Sequence, residues 1–203
     1  MLINSERKEK HLLYHYDDST FLNEQSKYED LLYDYNQLRP GNKAEQQKLL
    51  KKMFAEIGSD CYIKAPLHAA WGGHNVHFGS RIYCNSNMTL IDDAEIFVGN
   101  DCMFGPNVVL ATAGHPILPI LRNHNYVYSF PIRIEENVWI GANVQILPNV
   151  SIGANSVIGA GSVVTRNIPS NVVAFGSPCT IVRKIGKHDK KYFFKNKLLD
   201  VWQ

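Results

Sequence analysis

The sequence predicts a mainly β fold, a parallel β-helix built from repeats of six residues. The main evidence is an aliphatic residue at every sixth position without a miss, at Ile134, Ile140, Ile146, Ile152, Ile158 and Val164. The same register holds upstream at Val98, Phe104 and Leu110, and a companion aliphatic residue stands two places earlier at Ile96, Val108, Ile132, Val138, Val144 and Val150. One inward side chain per six residues requires a short strand and a corner, repeated so that each coil stacks on the coil below.

Composition places the 203-residue chain among ordinary globular proteins, with 45% hydrophobic and 20% charged residues. These fractions exclude disordered and collagen-like chains. The 21 basic and 19 acidic residues leave a formal charge of +2, which argues against nucleic acid or a charged membrane as the main partner. We expect no membrane span, because no run approaches about 18 apolar residues. We also expect a cytoplasmic location, because residues 1–10 lack the apolar run of a signal peptide.

The first segment, residues 1–57, is predicted to form an α-helical hairpin. Apolar residues follow helical spacing at Leu31, Leu32 and Tyr35 and again at Leu49, Leu50, Met53, Phe54 and Ile57. The sequence Arg39-Pro40-Gly41-Asn42 separates the two runs and is typical of a turn. A stack of coils leaves unpaired sheet edges at its ends, so we expect this hairpin and the C-terminal tail to help cover them.

Residues 58–185 are predicted to form the solenoid itself. Asparagine and glycine tolerate positive φ, so we expect them at its corners, as at Gly141, Asn143, Asn149, Gly153 and Asn155. The last stretch, residues 186–203, is basic and aromatic. Such a tail would also suit RNA or a membrane surface, but we expect Tyr192, Phe193 and Phe194 to pack on the end of the solenoid, with the lysine amines in water.

The period of six breaks once, at an excursion over residues 111–131. Long excursions from compact folds are commonly functional loops. This one begins Thr112-Ala113-Gly114-His115-Pro116, which puts an imidazole at the exit of a strand. His115 is therefore a candidate proton acceptor near neutral pH.

The cysteines and the other histidines are given structural roles. Cys61, Cys84, Cys102 and Cys179 have no C-x-x-C spacing, so we expect four reduced thiols. His68, His74 and His77 lie close in sequence, but no cysteine or carboxylate completes a ligand set at that spacing. We expect them to be surface or corner residues and expect no metal.

Several short motifs carry a family resemblance. They are Ala113-Gly114-His115-Pro116, Ser129-Phe130-Pro131-Ile132, Asn137-Val138-Trp139-Ile140-Gly141, Val157-Ile158-Gly159-Ala160-Gly161-Ser162 and Gly176-Ser177-Pro178-Cys179. Together with the hairpin and the tail, which also match, they resemble the galactoside and maltose O-acetyltransferases over nearly the whole chain. The resemblance implies a left-handed β-helix, acetyl-CoA as co-substrate, a sugar as acceptor, and a homotrimer with active sites between subunits.

The same resemblance implies roles for individual residues. His115 would be the general base that removes a proton from the acceptor hydroxyl, so that the oxygen attacks the thioester carbonyl without a covalent acetyl-enzyme. Asn85, in the motif Tyr83-Cys84-Asn85, would donate to the oxyanion, and Tyr83 is counted with the substrate-binding residues. Asp93 would bind hydroxyl groups of the sugar. A further acceptor-binding aspartate would be Asp17 or Asp18; the spacing does not decide between them, and Asp17 is favoured.

Coenzyme A would lie along the C-terminal coils, by the same resemblance. The backbone of Ala142 and Ala160 would meet the pantetheine arm, with Trp139 beside it. Near the nucleotide the resemblance places Thr165, Arg166 and Arg183, because guanidinium groups match phosphate oxygens. Thr180 stands where the family often has an arginine.

Departures from the family pattern concern the acceptor. Residues 18–38 contain Lys27 as their only basic residue, where the family often has an arginine. Ala70 stands in for a small hydroxyl residue of the galactoside pocket, and Val127 for a methionine. Galactosides, maltose, glucose and non-sugar hydroxyl compounds therefore all stay open as acceptors.

Two functions of other classes are also considered. One is a zinc-dependent lyase like the carbonic anhydrases built on the same β-helix, which need three convergent histidines. His77, His115 and His124 are available for such a site. The other is a catalytically silent assembly protein, against which the coenzyme A features argue.

Overall fold

The chain folds into a solenoid with three parallel sheets as its faces, and the computed structural model describes residues 2–201. Face 1 contains β2 (Glu56–Ile57), β5 (Val76–Phe78), β8 (Ile96–Val98), β13 (Ile132–Ile134) and β16 (Ser151–Ile152). Face 2 contains β3 (Tyr62–Ile63), β6 (Tyr83–Cys84), β9 (Met103–Phe104), β14 (Trp139–Ile140), β17 (Val157–Ile158), β19 (Val172–Gly176) and the antiparallel β20 (Cys179–Lys184). Face 3 contains β4 (Leu67–Ala69), β7 (Met88–Ile91), β10 (Val109–Ala111), β15 (Gln145–Ile146) and β18 (Val163–Val164). The predicted parallel β-helix is confirmed.

The remaining elements lie at the ends of the solenoid and in the excursion. The helices are α1 (Asn4–Glu9), α2 (Ser19–Gln37), α3 (Lys43–Met53) and α4 (Pro119–Asn123). Outside the faces, β1 (Tyr14–His15), β11 (Ala113–Gly114) and β12 (Tyr126–Ser129) form an antiparallel sheet, and β21 (Tyr192–Phe194) pairs with β22 (Lys197–Leu198). None of the helices in this described part of the chain combines the length and hydropathy that a membrane span requires.

The residues of the six-residue period fill the core, as predicted. Ile140, Ile146, Ile152 and Ile158 are completely inaccessible to solvent. In the parallel register Ile140 pairs with Ile158 and Ile146 with Val164, so one turn of the solenoid takes eighteen residues here. Each buried aliphatic side chain contributes roughly 1.5–3 kcal/mol, and stacking them coil on coil makes the core continuous.

Asparagines form the predicted corners. Asn143, Asn149 and Asn155 have φ values of 57°, 65° and 60°. The short amide side chain tolerates this left-handed conformation and also bonds along the stack, since Asn107 Nδ2 donates to Asn143 Oδ1 at 3.0 Å.

The prediction of positive φ is wrong for Gly141 and Gly153, which are absent from the left-handed glycines. Glycine is needed there because adjacent coils approach closely. A Cβ on Gly141 would lie 2.6 Å from the backbone nitrogen of Ala160, and one on Gly153 would lie 2.4 Å from that of Ser170.

The N-terminal hairpin of α2 and α3 covers the first coil. The side chain of Asn36 makes the two backbone hydrogen bonds that a neighbouring strand would make. It donates to the Leu67 carbonyl at 2.7 Å and accepts from the Leu67 N–H at 2.8 Å. Gln47 Nε2 donates to the Cys61 carbonyl at 2.6 Å. These side-chain amides form hydrogen bonds with backbone groups at the sheet edge that would otherwise bond to another coil. Ile57, which was included in the helical spacing, instead lies on β2, where it pairs with Phe78.

Insertions collect at one corner of the solenoid, where the chain passes from face 3 to face 1. Ile146 and Ile152 are six residues apart across this corner. In the three preceding coils the same corner takes more residues. The separation is nine residues from Ala69 to Phe78, eight residues from Leu90 to Val98, and twenty-four residues from Leu110 to Ile134. The expectation of a single break is therefore wrong: three successive coils carry insertions, and these insertions stack on one edge.

The C-terminal tail differs from its prediction. Phe193 and Phe194 are 67% and 60% exposed and do not pack on the end of the solenoid. The tail is held by polar contacts instead, because both Asp189 oxygens accept from the Arg183 guanidinium at 2.8 Å. All four cysteines are free, as expected, and all four are buried.

Candidate active site

A cavity of about 470 Å³ opens where the inserted corners meet the N-terminal segment. Its wall is aromatic on one side, and its polar groups come from three separate parts of the chain. The aromatic residues are Tyr14, Tyr16, Phe21 and Trp71, and the polar residues are Gln25, Asp93 and His115. A concave, largely apolar pocket with a few convergent polar groups is typical of a small-molecule site.

His115 follows β11 and is exposed to solvent at the cavity. The position is fixed by the antiparallel sheet, in which β12 pairs with β11 on one side and with β1 on the other. The ring of Tyr16 lies edge-on to the imidazole, with 6.4 Å between ring centroids. The backbone of the next residue, Pro116, is also held in place, because its carbonyl accepts from Arg122 Nη1 at 2.8 Å. The imidazole is therefore both accessible and held, as a general base requires.

Asp93 lies on the inserted corner after β7 and faces the same cavity. Trp71 Nε1 donates to Asp93 Oδ1 at 3.4 Å. Burial raises the pKa of Asp93, while the positive charge of Lys8 acts in the opposite direction. The corner thus presents a carboxylate with one oxygen held by the indole, a suitable acceptor for hydroxyl groups.

The neighbouring Asp92 has a different role, which the sequence did not reveal. It is fully buried, and its carboxylate accepts from the N–H groups of Trp71 at 2.7 Å and Gly73 at 3.0 Å. Burial raises the pKa of Asp92 to about 6, against the effect of the Trp71 hydrogen bond. Asp92 therefore fixes the turn that places the Trp71 side chain in the cavity wall.

Replacement of Asp92 by alanine is expected to lower the free energy of unfolding by about 2–5 kcal/mol, because two buried N–H groups lose their acceptor. The urea midpoint at a fixed protein concentration measures the effect. Asp34→Ala is the matched control, since that carboxylate is exposed on α2. Equal midpoints for the two variants would contradict the role given to Asp92.

The N-terminal aspartates lie away from the cavity. Asp17 Oδ2 accepts from Asn125 Nδ2 at 2.6 Å and lines a separate depression with His15. Asp18 is the N-cap of α2 and accepts from the Thr20 N–H at 2.9 Å. Tyr14 and Tyr16 line the cavity in their place.

Of the two pocket substitutions, Val127 lines the cavity and Ala70 does not. Ala70 packs beside it, and its carbonyl accepts from Gln25 Nε2 at 2.6 Å. The residue that faces the cavity at this turn is Trp71.

The residues expected near the acetyl group and the pantetheine arm lie on another part of the solenoid. Tyr83 and Trp139 are on face 2, 40% and 55% exposed. Asn85 follows β6 at the corner between faces 2 and 3, where its Oδ1 accepts from the Ser86 N–H at 2.8 Å. Ala142 and Ala160 follow β14 and β17 at the same corner. None of these five residues lines the cavity at His115.

The residues expected at the nucleotide are exposed near the C-terminal end of the solenoid. Thr165 and Arg166 follow β18, and Thr180 and Arg183 lie on β20. Arg183 is engaged in the ion pair with Asp189 at 2.8 Å. The guanidinium of Arg166 is therefore more readily available to bind phosphate than that of Arg183.

The histidines of the alternative zinc site do not come together. His77 lies on face 1, where its ring nitrogens contact Glu95 at 2.5 Å and Glu56 at 3.3 Å. His115 and His124 belong to the excursion. Within residues 2–201 no group of three or more His, Cys, Asp or Glu side chains is arranged to hold a metal ion.

Comparison with known proteins places this architecture in a family. Residues 131–166 match the family model of the bacterial transferase hexapeptide (six repeats), and residues 10–58 match the maltose acetyltransferase hexapeptide capping motif. A galactoside O-acetyltransferase of Lactococcus lactis subsp. lactis (strain IL1403) is 52% identical over 189 residues, which cover 93% of this chain and 91% of that protein.

Comparison with solved structures points to the same family. A galactoside acetyltransferase in complex with coenzyme A superposes with a TM-score of 0.95 at 38% identity, covering 98% of this chain and 100% of that one. A maltose O-acetyltransferase from Clostridium difficile 630 gives a TM-score of 0.89 at 33% identity, covering 92% of this chain and 99% of the other. The resemblance found in the motifs is thereby confirmed, and the chain belongs to the hexapeptide-repeat acyltransferases, in the family of the galactoside and maltose O-acetyltransferases.

Proposed function

We propose that this protein transfers the acetyl group of acetyl-CoA to a hydroxyl group of a sugar, preferably a primary 6-hydroxyl of a galactoside, maltose or glucose type acceptor. The observation that carries the proposal is the cavity in which an accessible His115 and the Asp93 carboxylate face the same space. The relative from Lactococcus lactis is a galactoside O-acetyltransferase, and the superposed galactoside acetyltransferase was solved with coenzyme A. We also propose that the reaction takes place in the cytoplasm, where acetyl-CoA is available.

In the proposed mechanism His115 takes the proton of the acceptor hydroxyl as its oxygen attacks the thioester carbonyl. The new C–O bond forms a tetrahedral intermediate, and the C–S bond then breaks. The imidazolium returns its proton to the departing thiolate, which leaves as free coenzyme A. Asp93 orients the sugar by accepting from its hydroxyl groups, and the amide of Asn85 donates to the oxyanion. Asn85 Oδ1 already accepts from the Ser86 N–H at 2.8 Å, so Nδ2 is the amide atom proposed to donate.

We further propose that each active site forms between two chains of a homotrimer. His115 acts at the corner between faces 3 and 1, whereas Asn85 and Ala142 lie at the corner between faces 2 and 3. A full face separates these corners, but a general base must lie within hydrogen-bond reach of the attacking oxygen. Joining one corner of a chain to a different corner of the next is a head-to-tail contact, which closes into a ring of three when the chains are related by a third of a turn.

The outer surface of face 2 supports this assembly. Tyr62, Tyr83, Met103 and Trp139 form one outward row through successive coils and are 39–56% exposed. An exposed apolar row of this kind is typical of an interaction surface. A neighbouring chain that covers it would bring its own excursion beside Tyr83 and Asn85.

Coenzyme A is proposed to lie along the corner between faces 2 and 3. The amides of its pantetheine arm would pair with backbone groups at Ala142 and Ala160, as an added strand does. Arg166, and Arg183 after exchange of its Asp189 partner, would meet the phosphates. Thr165 and Thr180 would line the nucleotide.

The release of free thiol from acetyl-CoA in the presence of glucosides, galactosides, maltose and non-sugar alcohols tests the proposed function. We expect acceptor-dependent release with sugars, and the ranking of the panel identifies the class of sugar. Equal or greater release with non-sugar alcohols would contradict the sugar as acceptor. A protein that neither binds acetyl-CoA nor releases thiol would contradict the reaction itself.

A further inference from the structure

The N-terminal helix α1 contributes a lysine to the rear of the proposed acceptor site. Lys8 Nζ lies 4.1 Å from the ring centroid of Trp71 and 5.2 Å from that of Phe21. A cation over an aromatic face is attracted by the ring electrons, and the attraction grows when the pair is shielded from water. Lys8 is partly buried, and burial lowers the pKa of its ammonium group. Neighbouring carboxylates raise that pKa, and Asp93 has the largest such effect.

Trp71 connects Lys8 to the acceptor carboxylate. One face of the indole meets the Lys8 ammonium, while its Nε1 donates to Asp93 Oδ1 at 3.4 Å. Lys8 and Asp93 also line a common cavity of about 450 Å³ behind the His115 cavity, and Asp93 borders both. Asp93 therefore lies between the acceptor space on one side and the lysine on the other.

We propose that Lys8 is a positioning residue of the acceptor site, which keeps the Asp93 carboxylate ionised and holds the Trp71 indole N–H against it. This inference rests on the proposed function, because Asp93 is assigned there to accept from sugar hydroxyl groups. An ionised carboxylate accepts through both oxygens, whereas a protonated one must donate with one of them. Burial raises the pKa of Asp93 and the positive charge of Lys8 lowers it, so the lysine favours the accepting form of the carboxylate.

Other charged groups share this environment and enter the interpretation of any pH profile. Lys8 faces Asp92, Asp93 and Glu95 from the inserted corner and Glu24 from α2. Asp93 is faced by Lys8 from α1, His115 from the excursion, Tyr14 from β1 and its neighbour Asp92. Glu9 and His11 also line the cavity that Lys8 and Asp93 share.

The test compares Lys8→Met, which keeps an unbranched side chain one atom shorter but removes its charge, with Lys8→Arg, which keeps the charge and the contact with an aromatic face. Lys10→Met is the matched control, because Lys10 follows the same helix and is exposed. The readout is kcat/KM for the acceptor as a function of pH, with KM for acetyl-CoA measured alongside.

Loss of the lysine charge raises the pKa of Asp93, so the acid limb of the acceptor profile should move to higher pH by about one unit in Lys8→Met. At pH values below the pKa of Asp93, a shift of one unit corresponds to a loss of about tenfold in kcat/KM, expressed mainly as a higher acceptor KM. Lys8→Arg should restore the profile, and Lys10→Met should leave it unchanged. A purely structural role would lower activity equally at every pH. An unmoved acid limb in Lys8→Met would overturn the proposal.

A second readout separates this proposal from the proposed function. The fluorescence of Trp71, obtained as the difference from a Trp71→Phe variant, should titrate with the carboxylate that its N–H contacts. We expect the midpoint to rise by about one unit in Lys8→Met and the Asp93 component to vanish in Asp93→Asn. If the wild type transfers no acetyl group, the proposed function fails, while this titration still decides whether Lys8 keeps Asp93 ionised. A midpoint unaffected by Lys8→Met would overturn the role of Lys8 even in an active enzyme.

Discussion

Replacement of His115 by alanine should lower kcat for acetyl transfer by about 10²–10⁴-fold, the usual contribution of a general base. The side chain has no packing role that would confuse the result, because it is exposed at the cavity. An alcohol is a weak nucleophile until its proton is removed, so loss of the imidazole acts on the chemical step. The Kd for acetyl-CoA should therefore stay close to that of the wild type. Thiol release in single turnovers and binding measured by calorimetry check the two halves of this expectation.

His124→Ala provides the matched control for His115→Ala. His124 belongs to the same excursion and is also exposed, but it lies at the C-cap of α4 and not at the cavity. We expect this variant to retain wild-type kcat. Activity that survives in His115→Ala, or an equal loss in both variants, would remove His115 from the role of base.

The solenoid was predictable because its core repeats. A period of six fixes which side chains face inward, and Ile140 and Ile146 occupy the core as predicted. The place of His115 in an excursion from the solenoid was predictable for a related reason, since a motif that interrupts a regular period is visible in one sequence. The short insertions were not, because additions of two or three residues between coils shift the register without leaving a pattern.

The N-terminal strand shows what the sequence does not reveal about the acceptor pocket. Successive side chains of an extended segment point to opposite sides. Tyr14 and Tyr16 therefore face the cavity, while His15 and Asp17 face a separate depression. The identity of the residues near this strand could be predicted, but the side on which each lies depends on its pairing with β12, which is distant in the chain.

Lys8 and Asp92 were missed for a physical reason as well. Lys8 lies 63 positions before Trp71, so only the folded chain brings its ammonium 4.1 Å from that ring. Asp92 and Asp93 are adjacent and chemically identical, and burial alone separates them into a turn-fixing carboxylate and a cavity carboxylate. Neither distinction is present in composition or spacing.

Two inactive variants should restore activity to each other if the active site lies between chains. His115→Ala loses the base, and Asn85→Ala loses the oxyanion donor, worth about 10²–10³-fold in kcat. In mixed trimers some interfaces pair an intact His115 from one chain with an intact Asn85 from the next. Every trimer that carries both tags contains both variants, so one of its three equivalent head-to-tail interfaces should be intact, about a third of the sites. Co-expression with two affinity tags, followed by thiol-release assays of the doubly purified protein, measures this recovery.

A second pair of variants makes the complementation test specific. His115 and Asp93 line the same cavity of a single chain. No chain in a mixture of His115→Ala and Asp93→Ala carries both groups intact, so this mixture should stay as inactive as its components. Recovery in the first mixture but not in the second would show which residues each chain contributes to the site. If the His115→Ala and Asn85→Ala mixture also stays inactive, either Asn85 acts within its own chain or the chains do not assemble through these corners, and the arrangement proposed for face 2 fails.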